Sequence, residues 1–301
     1  MNKNLINEAS SLLNPEKTDR RDFLKKTAIG VMGVGYVAAA EPVLAEAIKT
    51  DFEGIQGGEV AFLSGSIQLP AYVARPSKTP KAGLPVIIVV SEIFGVHEYI
   101  ADVARRFAKL GYLAIAPEFF VRAGDPSSLG TIADILKEIV AKTPDAQVMN
   151  DISSALAWAD KNGGDLKRLG ITGFCWGGRV TWLAAEQFSQ IRAGVAWYGR
   201  LEGEKTENSP THPIDLVAQL KAPVLGLYGG ADTGIPVESV ETMKRALASL
   251  ENNKAAKNSR FEIYPDAPHA FHADYRASYR EGPAKDGWSK CVAWFKQQGV
   301  V

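Results

Sequence analysis

The run Gly173-Phe174-Cys175-Trp176-Gly177-Gly178 sets a thiol among glycines at the end of an apolar stretch, where a nucleophile can be presented. Such glycines leave room for a sharp strand-to-helix turn, the nucleophile elbow, whose strained central residue stands above the edge of a sheet. A helix that starts at the turn aims its positive end at the sulfur and favours thiolate, the reactive form. The thiolate then needs a base to move protons and a carboxylate to orient that base. Asp232, in YGGAD, and His269, in PHAFH, follow Cys175 in the chain order nucleophile, acid, base. His272 is the rival base, and Asp215 and Asp266 are rival acids. Glu92, in VVSEIF, is a further carboxylate, with a solvated loop-edge charge as its ordinary alternative.

These groups can act together only if the strands carrying them end at one edge. LPVIIVVSE, YLAIAP, RLGITGF, AGVAWYG, APVLGLYGG and RFEIYP read as strands, the first as a continuous apolar run covered on both faces. Between them, Ile100, Val103, Ala104 and Phe107 recur at helical spacing, with Gly111 placed to end that helix. Val148, Ile152, Ala155, Leu156 and Ala159 mark a second helix, and another runs from Gly178 onward. Val240, Met243, Leu247 and Leu250 mark a fourth, and a last helix passes through Trp294. Alternating strands and helices predict an α/β fold with a mostly parallel, doubly wound sheet. The alternation at Ile67, Leu69, Ala71 and Val73 predicts an N-terminal antiparallel strand or hairpin. In such a sheet chemistry gathers beyond the C-terminal strand ends, which here carry Glu92, Phe119, Arg122, Cys175, Asp232 and His269. Phe119, Trp176, Trp197 and Tyr198 are candidates to line an acyl pocket, with plain packing as the alternative.

Composition narrows the partner. Lys+Arg and Asp+Glu both number 34 in 301 residues, which excludes a basic nucleic-acid surface and points to a small-molecule substrate. No Cys-x-x-Cys or His-x-x-x-His spacing supports a metal, and no cofactor motif stands out. Cys291 shares helical spacing with Trp288, Val292 and Phe295 and reads as core. The first 45 residues read separately from one domain over 46–301. Arg20-Arg21, Phe23-Leu24-Lys25, an apolar stretch Thr27–Ala40 and then Val43-Leu44-Ala45 resemble a twin-arginine export signal. The apolar part is shorter than the ~20 residues of a membrane span. The expectation is cleavage after Ala40 or Ala45 following engagement of the twin-arginine export machinery. That predicts a periplasmic or exported monomer without a stable membrane span, or a cytoplasmic one if the signal is unused.

SEIFGVHEYI, RRFAKLGYLAIAPEFF, GITGFCWGGR, LYGGADTGIP and PDAPHAFHADYRASYREGPAKDGW together resemble the dienelactone hydrolase family, the carboxymethylenebutenolidases, over nearly the whole segment after residue 45. The resemblance implies an α/β-hydrolase that opens an enol-lactone or activated ester through an acyl-thioester. It implies Cys175 as nucleophile, His269 as general base and acid, and Asp232 as the orienting carboxylate. Glu92 is implied to hold the resting thiol and to take its proton when substrate enters, with the backbone N–H groups of Ile93 and Trp176 forming the oxyanion hole. Arginines bind the substrate carboxylate in chloroaromatic-degrading members, and Arg122, Arg179 and Arg276 are the candidates here. A broad carboxylesterase or thioesterase of the same fold is the alternative. A different class, a redox thiol protein pairing Cys175 with Cys291, would require their Cα atoms within ~7 Å.

Overall fold

The computed structural model describes residues 47–301, so the expected export segment, residues 1–45, lies outside the described residues. Eight strands form one sheet: β1 (Ile55–Ser64), β2 (Ile67–Pro76), β3 (Leu84–Val90), β4 (Leu113–Pro117), β5 (Gly164–Phe174), β6 (Ile191–Trp197), β7 (Val224–Gly229) and β8 (Arg260–Tyr264). Their order across the sheet is β1-β2-β4-β3-β5-β6-β7-β8. β1 and β2 form the expected hairpin, β2 pairs antiparallel with β4, and every later pairing is parallel. The connections hold α1 (Glu98–Lys109), α2 (Ile132–Glu138), α3 (Asp145–Lys161), α4 (Trp176–Gln187), α5 (Pro213–Leu216), α6 (Val237–Ala248), α7 (Lys254–Asn258) and α8 (Glu281–Gln297). The short helices α2, α5 and α7 were not anticipated from the periodicity, because one or two turns carry too few apolar repeats to register.

Burial follows the sequence pattern. All seven residues of β3 are buried, as a strand covered on both faces requires. Helix α1 buries Ile100, Val103, Ala104 and Phe107, and Gly111 beyond it takes φ +97°, the left-handed geometry that ends a helix cheaply only at glycine. Phe107 meets Trp288 and Phe295 of α8 at ring-centroid distances of 4.8 and 6.0 Å, which ties the two helices into one layer against the sheet. Truncating a ring so placed costs about 3–5 kcal/mol, a large part of the stability of a typical domain. Cys291 is fully buried in α8, as expected of core, and its burial pushes the thiol well up from its ordinary range. Both cysteines are free, and no disulfide joins them.

Candidate active site

Helix α4 begins at Trp176, two residues before the expected Gly178, so Cys175 itself is the hinge between β5 and α4. The turn is built by close approach. A Cβ on Gly173 would stand 2.1 Å from the Gly177 carbonyl oxygen, and one on Gly177 would stand 2.4 Å from that of Val90. Only glycine fits at either point. Cys175 is thereby held at φ +56°, its N–H donating to the Trp197 carbonyl at 3.0 Å and its own carbonyl accepting from Gly178 and Arg179. Among the described residues, the non-glycine positions with positive φ are Cys175, Tyr198 and Ala270. Strain of this kind, worth ~1–3 kcal/mol each, persists where surrounding structure over-determines it, and here it lies on the thiol, beside β6 and next to His269.

Asp232 follows the end of β7, where Gly229 packs so closely on the loop before His269 that a Cβ would stand 2.2 Å from the Ala267 carbonyl oxygen. Its Oδ1 accepts from the N–H groups of Gly234 (2.8 Å) and Ile235 (3.0 Å), and its Oδ2 meets His269 Nδ1 at 2.7 Å. Cys175 lies within electrostatic range of the same imidazole. Burial disfavours the imidazolium, but the Asp232 carboxylate and the neighbouring Cys175 outweigh it and hold His269 well above its ordinary range. Asp232 and His269 are thus bonded to each other, Cys175 acts on the imidazole through its field, and all three residues are buried.

Two of the three rival groups, His272 and Asp215, are occupied elsewhere. His272 Nδ1 bonds the Tyr99 hydroxyl at 2.6 Å, its ring lies against Phe174, Trp197 and Trp288, and burial together with the Arg106 charge pushes it well below its ordinary range. Asp215 pairs with Lys205 and accepts the His212 N–H at the start of α5. The rings divide likewise. Tyr198 meets the His269 ring edge-on at 5.1 Å, whereas Trp197 is packed against Phe174 and donates its indole N–H to Thr172 at 3.2 Å. Phe119 is fully buried against Trp176. Of the arginines, Arg122 makes a two-pronged contact with Asp151 (2.8 and 3.0 Å) and bonds the Ser64 carbonyl, so its donors lock the β1–β2 turn to α3. Arg179 is spent the same way on Asp145, at 2.7 Å for both bonds. Arg276 lies over Phe94 (4.6 Å) and Tyr275 (4.9 Å), within electrostatic range of both Glu92 and Cys175.

Glu92, two residues past the end of β3, is buried and carries two hydrogen bonds on one oxygen. Its Oε2 accepts from His97 Nε2 at 3.2 Å and from the Tyr275 hydroxyl at 3.1 Å. Burial pushes its carboxyl up, yet His97, Arg276 and Tyr275 outweigh burial and leave it below the usual range. His97, Tyr99, Tyr275 and Glu118 belong to no motif that marks them in the sequence. Glu118 accepts the Val96 N–H at 2.8 Å and so fixes the loop bearing Ile93, while Arg106 on α1 reaches Asp274 at 2.5 Å and fixes the loop bearing Tyr275. His97, lying inside GVHEYI, and Tyr275, inside the HADYRASY tail, carried no chemical spacing that would single them out.

The profile of the dienelactone hydrolase family matches residues 69–299. A Salmonella typhimurium protein named "Putative carboxymethylenebutenolidase" is 52% identical over 267 residues, covering 88% of this chain and 96% of that one. A Bradyrhizobium protein named "Probable 2-oxo-3-(5-oxofuran-2-ylidene)propanoate lactonase" is 32% identical over 228 residues, covering 75% and 88%. The crystal structure of a "Putative Dienelactone Hydrolase" from Klebsiella pneumoniae superposes with a TM-score of 0.77 at 53% identity, covering 81% of this chain and 99% of that one.

Proposed function

From the premise that this chain belongs to the dienelactone hydrolase family and is a carboxylic ester hydrolase of the α/β-hydrolase fold, we propose that it opens enol-lactones or activated esters by a Cys-His-Asp triad. The carrying observation is the Asp232–His269 hydrogen bond within range of a thiol held in a strained elbow. In this reading Cys175 Sγ attacks the carbonyl carbon as His269 takes the thiol proton. Negative charge on the carbonyl oxygen is met by the N–H groups of Ile93 and of Trp176, the latter in the first turn of α4, where helix N–H groups lack helical partners. The ring C–O bond breaks, and the enolate leaves with its electron pair and takes the proton from His269, which frees the imidazole to act as base again. Water then attacks the thioester carbon, His269 takes a proton from the water, the C–S bond breaks, and the proton returns to sulfur.

Arg276 and Tyr198 are the substrate-facing residues in this proposal, Arg276 because its cation sits near the thiol and Tyr198 because its ring borders His269. The test is a panel of lactones, aryl esters and thioesters assayed with the wild type and Cys175→Ala. Lactone turnover that survives the substitution would overturn the triad. Preference for thioesters over lactones would instead select the broad thioesterase reading.

The same proposal extends to location: residues 1–45 act as a twin-arginine signal, and 46–301 form the exported, monomeric enzyme. Replacing Arg20-Arg21 by Lys-Lys is expected to retain the protein in the cytoplasm, and N-terminal sequencing of periplasmic protein is expected to begin after Ala40 or Ala45. A periplasmic protein that keeps Met1 refutes it, and sedimentation of the mature enzyme reads the monomer.

A further inference from the structure

The loop that carries Ile93 out of β3 is held from two sides. On the elbow side, a Cβ on Gly177 in the first turn of α4 would stand 2.5 Å from the Ser91 carbonyl oxygen, so the chain leaving β3 lies directly on the helix that follows Cys175. On the other side stands Glu118, the first residue after β4. Its own N–H donates to the Pro70 carbonyl at 2.9 Å, which ties it to β2, and it is buried. Its Oε2 accepts the Val96 N–H at 2.8 Å. Gly95 meets the same carboxylate with its bare Cα: a Cβ there would stand 2.7 Å from Oε1 and 2.9 Å from Oε2, and its φ of +73° lies in the left-handed region.

The contact bridges neighbouring strands. β3 and β4 run parallel with Ile88 opposite Ile115, so both end at one edge of the sheet, and the carboxylate beyond one strand seats the loop beyond the other. Ile93 lies midway between the two anchors, two residues after Ser91 and two before Gly95. Its N–H belongs to the main chain, so the aim of this donor is the aim of the loop. A donor stabilises a developing oxyanion only when it is held within hydrogen-bond reach of the oxygen that gains the charge.

We propose that Glu118 is a positioning residue for the oxyanion hole: by seating Gly95 and Val96 it aims the Ile93 N–H at the oxygen that becomes negative when Cys175 attacks. The idea rests on the reading of Ile93 as an oxyanion donor given under the proposed function. Removing such a donor outright costs about 10²–10³ in kcat, and a donor that is displaced but present keeps part of that effect.

The experiment compares Glu118→Ala, Glu118→Gln and Gly95→Ala in the full protein by lactone kinetics, by affinity for an aryl trifluoromethyl ketone and by iodoacetamide labelling of Cys175. The ketone carbon bonds the Cys175 sulfur, the thiol proton passes to His269 and the carbonyl oxygen becomes an alkoxide, so affinity reads the oxyanion hole. Iodoacetamide loses iodide to the same sulfur without forming an oxyanion, so its rate reads the thiol alone. Glu118→Ala is expected to lower kcat about thirtyfold with KM within about threefold, to weaken the ketone by about the same factor as kcat, and to leave labelling within about twofold. Glu118→Gln keeps an acceptor for the Val96 N–H and is expected to hold kcat within about fivefold of the wild type. Gly95→Ala pushes the loop off the carboxylate and is expected to show the same split, with less than additive loss when combined with Glu118→Ala, as a shared contact requires. If Glu118→Ala does not fold, Gly95→Ala decides by that split. Labelling that falls in step with kcat and ketone affinity would overturn the proposal in favour of a general loosening of the site. Lactone turnover that survives Cys175→Ala sinks the triad and the Glu118 proposal together, whereas turnover lost in Cys175→Ala but unchanged in Glu118→Ala sinks Glu118 alone.

Discussion

Two glutamates are buried at opposite ends of the machinery that presents Cys175, and they have opposite electrostatic fates. Glu92, by the N-terminal end of α4, is surrounded by His97, Tyr275 and Arg276, and its carboxyl is held below the usual range. Glu186, near the C-terminal end of α4, has no hydrogen-bond partner on either oxygen among the described residues, and burial raises its carboxyl to about 9 despite the Arg179 charge. Both side chains are almost wholly shielded from solvent, so burial alone does not set the charge. Partners decide it. The catalytic edge of the sheet is stocked with donors and cations, while the other end of the same helix is core that tolerates a neutral acid.

The comparison is sharpened most by Cys175→Ala, which is expected to lower kcat/KM on a lactone by ~10⁴-fold or more, as removal of a nucleophile does. Glu186→Gln, at the other end, is expected to leave kcat/KM within about twofold, because it touches none of the reacting groups. Equal losses from both substitutions would erase the distinction between the two ends. Next in size is Asp232→Asn, expected to cost ~10²–10⁴-fold in kcat, because the amide no longer holds the imidazole in the working tautomer.

The same variant tests the linkage. His269 is held above its ordinary value of 6.5, so its contribution to stability is fully present below that value and is lost as pH rises through the raised one. Without the Asp232 charge, denaturation midpoints measured from acid to alkaline pH should lose that component, and an unchanged pH profile would contradict the ionic role of Asp232.

Glu92→Gln removes a charge and keeps the shape. Labelling of Cys175 with iodoacetamide is expected to rise about threefold to tenfold, since relief of like-charge repulsion by half to one pKa unit has that size, while lactone turnover falls. Slower or unchanged labelling would mean that Glu92 does not restrain the thiol. The smallest effect concerns Glu186 in stability. Its folded pKa of about 9 exceeds the ordinary 4.5, so the native state holds a proton that the unfolded chain has released, and stability falls as pH rises between those values. Glu186→Gln should flatten that fall by less than about 1.4 kcal/mol per pH unit in denaturant titrations, and a slope unaltered by the substitution would place its titration elsewhere.

Much of this was readable in the chain because the relevant signals are local. The run of apolar residues at Val86–Val90 determines a strand covered on both faces, and the spacing of Ile100, Val103 and Phe107 determines a helix that must pack on it. Gly173-x-Cys175-x-Gly177 determines the elbow, since the approach of Gly177 to Gly173 and to Val90 admits no side chain. What the chain order left open was pairing across distance. His269 and His272 lie on one loop, and only the tertiary packing turns the first toward Asp232 and buries the second among Phe174, Trp197 and Trp288. Arg122 and Arg276 are equally basic on paper. One meets Asp151 and the other lies over Phe94 beside Glu92, because a guanidinium goes to whichever carboxylate or ring the fold brings within reach. The clamp on Glu92 joins His97, five residues on, to Tyr275 from far along the chain, and an ionisation state set by such contacts exists only once the sheet and its loops have closed.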